Sequence, residues 1–386
     1  MHILIAPNAF KNSLTAFEAA RAIEKGLIQS NLACTCECFP IADGGDGTAE
    51  LIIKKFRGTR ITKEVTDPLG RTITSSFGLI DEGQTAVIEM ADASGMRLLS
   101  EEELNPLHAS SFGTGELIKR ALDEGVSRII IGLGGSASVD GGVGILKALG
   151  ARFLNSLQKE LTDMPESLVD LNKIDLTGLN PRVFDCDITV LCDVDNKLLG
   201  SMGAATVFGP QKGASAEEVL KLEASLAKLR DVALKETGRD MAVVKHGGAA
   251  GGSAAGLYAF VNGKLVNGAD HFLKLTGFEE NLKISDLVIT GEGSIDEQTL
   301  QGKGPFAVAR MAKNNNLPVI GLAGKVPMIK NEALRQYFDV LLAIGNGPVD
   351  IATAMEFTSA NLIRTSWEMG NLLALLNRIN HRCPEK

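Results

Sequence analysis

An apolar strand that breaks into glycines and acids and then starts a helix is the most restrictive pattern in this chain. Residues 287–304, LVITGEGSIDEQTLQGKG, carry it most fully. Leu287, Val288, Ile289 and Thr290 are apolar and largely β-branched, which suits a short buried strand. Gly291 and Gly293 then bracket Glu292, Asp296 follows, and Gly302-Lys303-Gly304 leads to Pro305 and the amphipathic run PFAVARMAKNNN. Proline fits the first helical position, where its missing N–H would go unpaired anyway. The pattern predicts two carboxylates and a lysine on glycine-rich turns between a strand end and a helix start. Open α/β sheets bind ligands at that edge, and helix N-termini attract anions. Residues 129–142, IIIGLGGSASVDGG, repeat the same order of apolar run, glycines, hydroxyl and acid.

The rest of the chain follows from the same alternation. HILIAP (2–7) reads as a strand, and Thr15 with Glu18 matches a capping box before a helix whose Ala19, Ile23 and Leu27 share one face. Residues 34–41 form the next strand, ended by ADGGDG, with Thr48 placed to cap the helix AELIIKKF. This βαβα opening predicts a parallel sheet. After Thr59 the pattern turns to short antiparallel strands, broken at Asp67-Pro68-Leu69-Gly70 and Asp81-Glu82-Gly83. Residues 155–182 are polar and proline-punctuated, a surface excursion. The last third returns to βα units. The expected fold class is therefore α/β: a Rossmann/flavodoxin-like three-layer parallel-sheet domain, residues 1–61 and 285–386, interrupted by an inserted mixed α/β domain, residues 62–284.

Composition narrows the function classes. A net charge of −8 argues against a nucleic-acid or anionic-membrane surface, although local lysines can still hold a small anion. The 42 glycines cluster after apolar runs, as ligand-cradling turns do. Cys34, Cys36 and Cys38 alternate at strand spacing and lack zinc spacers; with Cys186, Cys192 and Cys383 they read as reduced, mostly buried thiols. The opening MHILIAP is a strand rather than a leader, and no apolar run approaches the ~20 residues of a membrane span. These features predict a cytoplasmic protein, monomer or homodimer, with small-molecule partners.

The chemistry-bearing residues are mostly strand-end acids. Asp43, Asp46, Asp140, Asp193, Asp195, Glu292 and Asp296 all follow apolar runs, most of them in glycine loops. Phosphoryl transfer needs carboxylates to hold Mg²⁺ and take a hydroxyl proton, with N–H groups or lysines against the phosphates. Lys11, Lys212 and Lys303 each sit in a turn near a predicted helix start, where a lysine opposes the helix dipole unless an anion is bound. A Walker A loop is absent. GLGGSA (132–137) fits the weak dinucleotide form G-x-G-x-x-A, but the acid expected about 20 residues later is missing. His246 is the one histidine beside a glycine turn.

Taken together, the segments IAPNAFKNSLTA, IADGGDGT, IEMADASG, SSFGTGE, IIIGLGGSASVDGG, CDVDN, VFGPQKGA, GGAAGG and VITGEGSIDEQTLQGKGP resemble the glycerate kinase family, in the family's order. The resemblance implies ATP- and Mg²⁺-dependent phosphorylation of D-glycerate, at the 2-hydroxyl to give 2-phosphoglycerate. It also implies two α/β domains with the active site in the cleft between them. Carried onto this chain, Asp193 and Glu292 would hold Mg²⁺, and Asp296 or Asp43 would orient or deprotonate the substrate hydroxyl. Lys11, Lys212 and Lys303 would neutralise the phosphoryl group. Asp46, Asp140 and the loops at Gly134, Gly135, Ser136, Gly291 and Gly293 would bind phosphate and substrate.

Three departures stand out. Asn8 occupies a position where the family often carries aspartate, and an amide is no general base. Val139 replaces an asparagine, and Lys245-His246 replaces a glycine/alanine pair. The alternatives are the same kinase giving 3-phosphoglycerate, an NAD-dependent hydroxy-acid oxidoreductase, and a non-enzymatic small-molecule binder.

Overall fold

The computed structural model describes residues 1–162 and 164–382, so Cys383 lies outside the described residues. Its strands are β1 (His2–Ile5), β2 (Thr35–Cys38), β3 (Thr59–Thr66), β4 (Thr72–Ile80), β5 (Thr85–Glu89), β6 (Arg128–Gly132), β7 (Arg152–Leu154), β8 (Lys173–Asp175), β9 (Asp187–Cys192), β10 (Lys264–Asn267), β11 (Leu287–Ser294), β12 (Val319–Lys325) and β13 (Val340–Ala343). They fall into two compact units, Met1–Asp43 with Ala269–Lys386, and Gly44–Gly268. These limits differ from the 61/62 and 284/285 boundaries expected above. The helix Thr48–Lys55 packs on β4 and β5 and so goes with the second unit.

The first unit is built on a five-stranded parallel sheet in the order β13-β12-β11-β1-β2. Numbered within this unit alone, that is the flavodoxin-like order 2-1-3-4-5, whose switch point lies between β1 and β11. Ile3, Ile5, Leu287, Ile289 and Leu322 join one core with Ala19, Ile23 and Leu27 of the helix Ala16–Gln29. Leu4 and Val288 alternate to the opposite face and are also fully buried, so the sheet is covered on both sides. The capping box forms as expected: Glu18 N–H donates to Thr15 Oγ1, and Glu18 Oε2 accepts from Thr15 N–H. Cys36 and Cys38 on β2 and Cys34 just before it are half-buried, with 3.9 Å between the Cys34 and Cys36 sulfurs.

The second unit has a six-stranded mixed sheet in the order β10-β9-β6-β5-β4-β3. The pairs β3–β4 and β4–β5 are antiparallel, and β5, β6, β9 and β10 run parallel. Residues 155–182 are not a simple surface excursion. They include part of the β7–β8 hairpin region and bury Leu161, Leu168, Leu171 and Ile174 in the main core, because the Glu166–Asp170 turn packs on the helix Ala216–Thr237. Among the described residues, no helix is long and apolar enough to cross a membrane.

The strand at residues 287–294 is longer than its apolar run predicts. β11 does not end at Thr290; it continues through Gly291-Glu292-Gly293-Ser294, with Glu292 opposite Ala323 of β12. Gly291 is needed for close packing rather than for a turn: a Cβ there would lie 2.1 Å from the Leu322 carbonyl oxygen, whereas one at Gly293 would meet nothing within 4 Å. We predict that Gly291→Ala costs about 1–3 kcal/mol in urea unfolding, and that Gly293→Ala stays within about 0.5 kcal/mol. Equal effects would show that the sheet absorbs the added methyl.

Candidate active site

In the first unit, the ends of β1, β2 and β11 bring polar groups together at the C-terminal edge of the parallel sheet. After β1, the Asn8 N–H donates to the Gly291 carbonyl (2.8 Å), which ties the Pro7–Phe10 loop to β11. The Asn8 side chain has only one orientation that satisfies its neighbours. Its Oδ1 accepts from Ala9 N–H (2.8 Å), so its Nδ2 faces Asp43 and donates to Oδ2 (2.9 Å). The amide thus holds the Asp43 carboxylate in place. An aspartate at this position would set two carboxyl groups against each other.

Glu292 leaves β11 into the same cluster. It is buried, and its carboxyl is pushed up to about 7, first by burial, then by the like charges of Asp43 and Asp296, with Lys303 pulling the other way. Thr299 links the acids: its hydroxyl donates to Glu292 Oε1 (3.1 Å) and accepts from Asp296 N–H (3.1 Å). Asp296 caps the short turn Glu297–Gln301, accepting from Gln298 N–H (2.9 Å) and the Ser294 hydroxyl (3.2 Å). Lys303 is the N-cap of the helix Gly304–Asn314, which begins one residue before Pro305. Lys11 stands apart: it is exposed on the tight turn between Phe10 and Leu14, well before the helix that starts at Ala16.

The second unit holds its own polar centre. Lys212 is buried, donating to Ser136 Oγ and the Ser138 carbonyl (both 2.7 Å). Burial pushes its ammonium down to about 7, while Asp140 and Asp193 hold it up. Asp140 is also buried, and its oxygens accept from Ser111 N–H and Oγ, Ser138 Oγ, and the Gly142 and Gly144 N–H groups. That saturation makes it an organiser of the loop. The Gly134 N–H donates to the Gly44 carbonyl (3.0 Å), and Gly135 adopts φ +74° beside Asp46. Thr48 is not the helix cap. Gly47 takes that position, and the Thr48 hydroxyl stitches the loop by accepting from Gly44 N–H (3.2 Å) and donating to the Gly45 carbonyl (2.6 Å). His246, with φ +67°, points Nδ1 at the Val194 carbonyl (2.8 Å) and Asp195 Oδ1 (3.0 Å), and Lys245 reaches the same carboxylate. Lys245 and His246, one of the three departures noted in the sequence, both contact Asp195.

The glycine-loop pattern passes over one acid. Glu89 closes β5 with no glycine beside it, yet it is buried and accepts from Thr48 N–H (3.1 Å). Burial and the neighbouring charge of Asp46 push its carboxyl up to about 7. The signal was present, an acid ending the apolar run TAVIE. The weak dinucleotide fingerprint fails in context: after β6 the next helix begins only at Val143, so no helix N-terminus follows the glycines directly.

Among the described residues, no three His, Cys, Asp or Glu side chains form a ready cage for a metal. The donors nevertheless fit Mg²⁺, which takes hard oxygen ligands from one or two carboxylates and fills the remainder with water and phosphate. Glu292 beside Asp43 and Asp296 is a buried like-charge group that a divalent cation would relieve.

The raised Glu292 carboxyl has a consequence for stability. The folded chain holds this proton more tightly than the unfolded chain, so stability is lost as pH rises from 4.5 to about 7. In urea unfolding between about pH 5 and about pH 8, wild type should lose on the order of 2 kcal/mol more than Glu292→Gln. Parallel losses in the two proteins would show that Glu292 is ionised without cost.

The glycerate kinase family model matches residues 3–374. The chain is 42% identical over 379 residues to the glycerate 2-kinase of Escherichia coli K12, covering 97% of this chain and 98% of that one. It is 41% identical over 375 residues to the glycerate kinase of Bacillus subtilis 168, covering 97% and 98%. A crystal structure named for a glycerate kinase 2 from Salmonella typhimurium LT2 superposes with a TM-score of 0.82 at 39% identity, covering 98% of this chain and 99% of the other. The chain belongs to the glycerate kinase family.

Proposed function

We propose that this chain transfers the γ-phosphoryl group of ATP to the 2-hydroxyl of D-glycerate, giving 2-phosphoglycerate. The observation that carries the reading is the Asp43–Glu292–Asp296 cluster, held by Asn8 and Thr299 at the switch point of a parallel sheet and faced by Lys303. In this reading Asp43, fixed by the Asn8 amide, takes the hydroxyl proton, and Asp296 orients the substrate. Glu292 in the first unit and Asp193 in the second are each a carboxylate candidate for Mg²⁺, which when bound would neutralise charge on the phosphates. Lys303 and the exposed Lys11 balance the transferring group. Lys212 acts through Ser136 and Ser138, keeping the loop that carries Gly134 and Gly135 in shape. The reading takes the discontinuous unit as a Rossmann-like domain and Gly44–Gly268 as the domain inserted in it. The five cysteines among the described residues are free thiols, which supports a cytoplasmic setting; the reading takes the enzyme as a monomer or homodimer.

The test is ADP release on adding D-glycerate, with the product identified by NMR. Release without glycerate dependence would keep a nucleotide-hydrolysing enzyme and remove the substrate; 3-phosphoglycerate as product would move the attack to the other hydroxyl. Asp296→Asn should lower kcat by about 10²-fold or more with the thermal transition retained. Asn8→Asp should cut turnover about tenfold at neutral pH, because it places a second carboxylate where Asp43 now accepts a hydrogen bond. Unchanged kcat in either variant removes that residue from the mechanism.

A further inference from the structure

Beyond the acid cluster, the first unit has a feature that the phosphoryl chemistry does not use. After β12, the segment Val326-Pro327-Met328-Ile329-Lys330 stands out from the sheet edge. Met328 is 102% exposed and Ile329 82%, so two large apolar side chains project into water from one short loop. Two cavities border the loop. The larger, ≈ 400 Å³, is bounded by Ile295, Val326, Pro327 and Met328 on its apolar wall and by Asp296 and Asn331 among its polar groups. The smaller, ≈ 180 Å³, lies towards Arg335 and Leu341. The larger cavity is braced by Asn331 Nδ2, which donates to Glu297 Oε1 (2.8 Å).

We infer that the larger cavity receives the adenine and ribose of ATP, and that the 326–330 loop folds over the base. The inference rests on the kinase reading above and names where that reading's nucleotide is held. Three observations support it. The cavity opens at the C-terminal ends of β11 and β12, the edge where doubly wound sheets hold nucleotides. Its size is that of small-molecule sites, and its mixed wall suits a flat base that is apolar on its faces and polar at its rim. Methionine, flexible and polarizable, is well suited to cover an aromatic ring. Asp296 belongs to both this cavity and the acid cluster, so a nucleotide seated here would direct its phosphates towards the cluster. Glycerate is a poor occupant of this cavity: it is small and polar, and gains nothing from the apolar wall.

The test is Met328→Glu, a change at a fully exposed side chain, with Met328→Leu as the conservative partner. Met328→Glu should raise KM for ATP about tenfold, while KM for D-glycerate stays within about twofold and Met328→Leu stays near wild type. Calorimetric titration of ATP alone should show the same loss of affinity. An unchanged KM for ATP, or a change in KM for glycerate instead, would overturn the base site. If wild type binds ATP but shows no glycerate-dependent turnover, the substrate reading fails; the titration then decides the base site, and equal ATP affinity in Met328→Glu and wild type overturns it.

Discussion

The first unit depends on the pairing of β1 with β11. His2 N–H donates to Asp286 and the Thr290 hydroxyl to the Ala6 carbonyl, each across a separation of 284 residues, and Ala6 N–H donates to the Ile289 carbonyl. Closing so long a loop costs chain entropy, although that cost grows only slowly with length. It is offset by burial of Ile3, Leu4, Ile5, Val288 and Ile289, none of them exposed to water. The same pairing creates the switch point and sets Asn8 against Gly291. The chemistry therefore sits where segments 284 residues apart in the chain are joined.

That placement has an electrostatic cost. Glu292 and Glu89 each lie behind a strand end, with a carboxyl that burial and like-charged neighbours push up to about 7. Lys212 is pushed down to about 7 in a site where its ammonium meets a serine hydroxyl and a carbonyl. Such groups weaken the fold in isolation and are tolerated because each is hydrogen-bonded. They remain useful because a group whose proton is loosely balanced near neutral pH responds strongly to a bound phosphate or cation.

The residues read as departures from the family resemblance at Asn8 and at Lys245-His246 are held by local contacts. Asn8 presents a donor, and its carbonyl end is locked by Ala9, which fixes a hydrogen bond to Asp43. His246 takes a left-handed backbone conformation that a glycine would adopt freely, and its ring is held by the Val194 carbonyl and Asp195. Lys245 reinforces that contact at the surface, where an ion pair adds little stability. Asp195 is thus held by two side chains, those of Lys245 and His246.

Local pattern in the sequence was enough for several features. The capping box at Thr15, the strand at β1, the antiparallel texture of β3 to β5 and the acids at strand ends all depend on residues near one another in the chain, where spacing and side-chain type decide the outcome. Tertiary structure decided the rest. Whether GEG was a turn or a strand depended on β12, because only a neighbouring backbone can pair Glu292 with Ala323 and crowd Gly291. Whether Asp140 faced a ligand or the loop depended on Ser111, from a distant helix start. The importance of Glu89 depended on the Thr48 N–H that folds over it. Sequence by itself determined which residues could do chemistry and at which strand ends they lie. Only the tertiary structure decided which of them are saturated by hydrogen bonds and which keep an electrostatic strain that a ligand could relieve, because burial and partners belong to contacts between segments far apart in the chain.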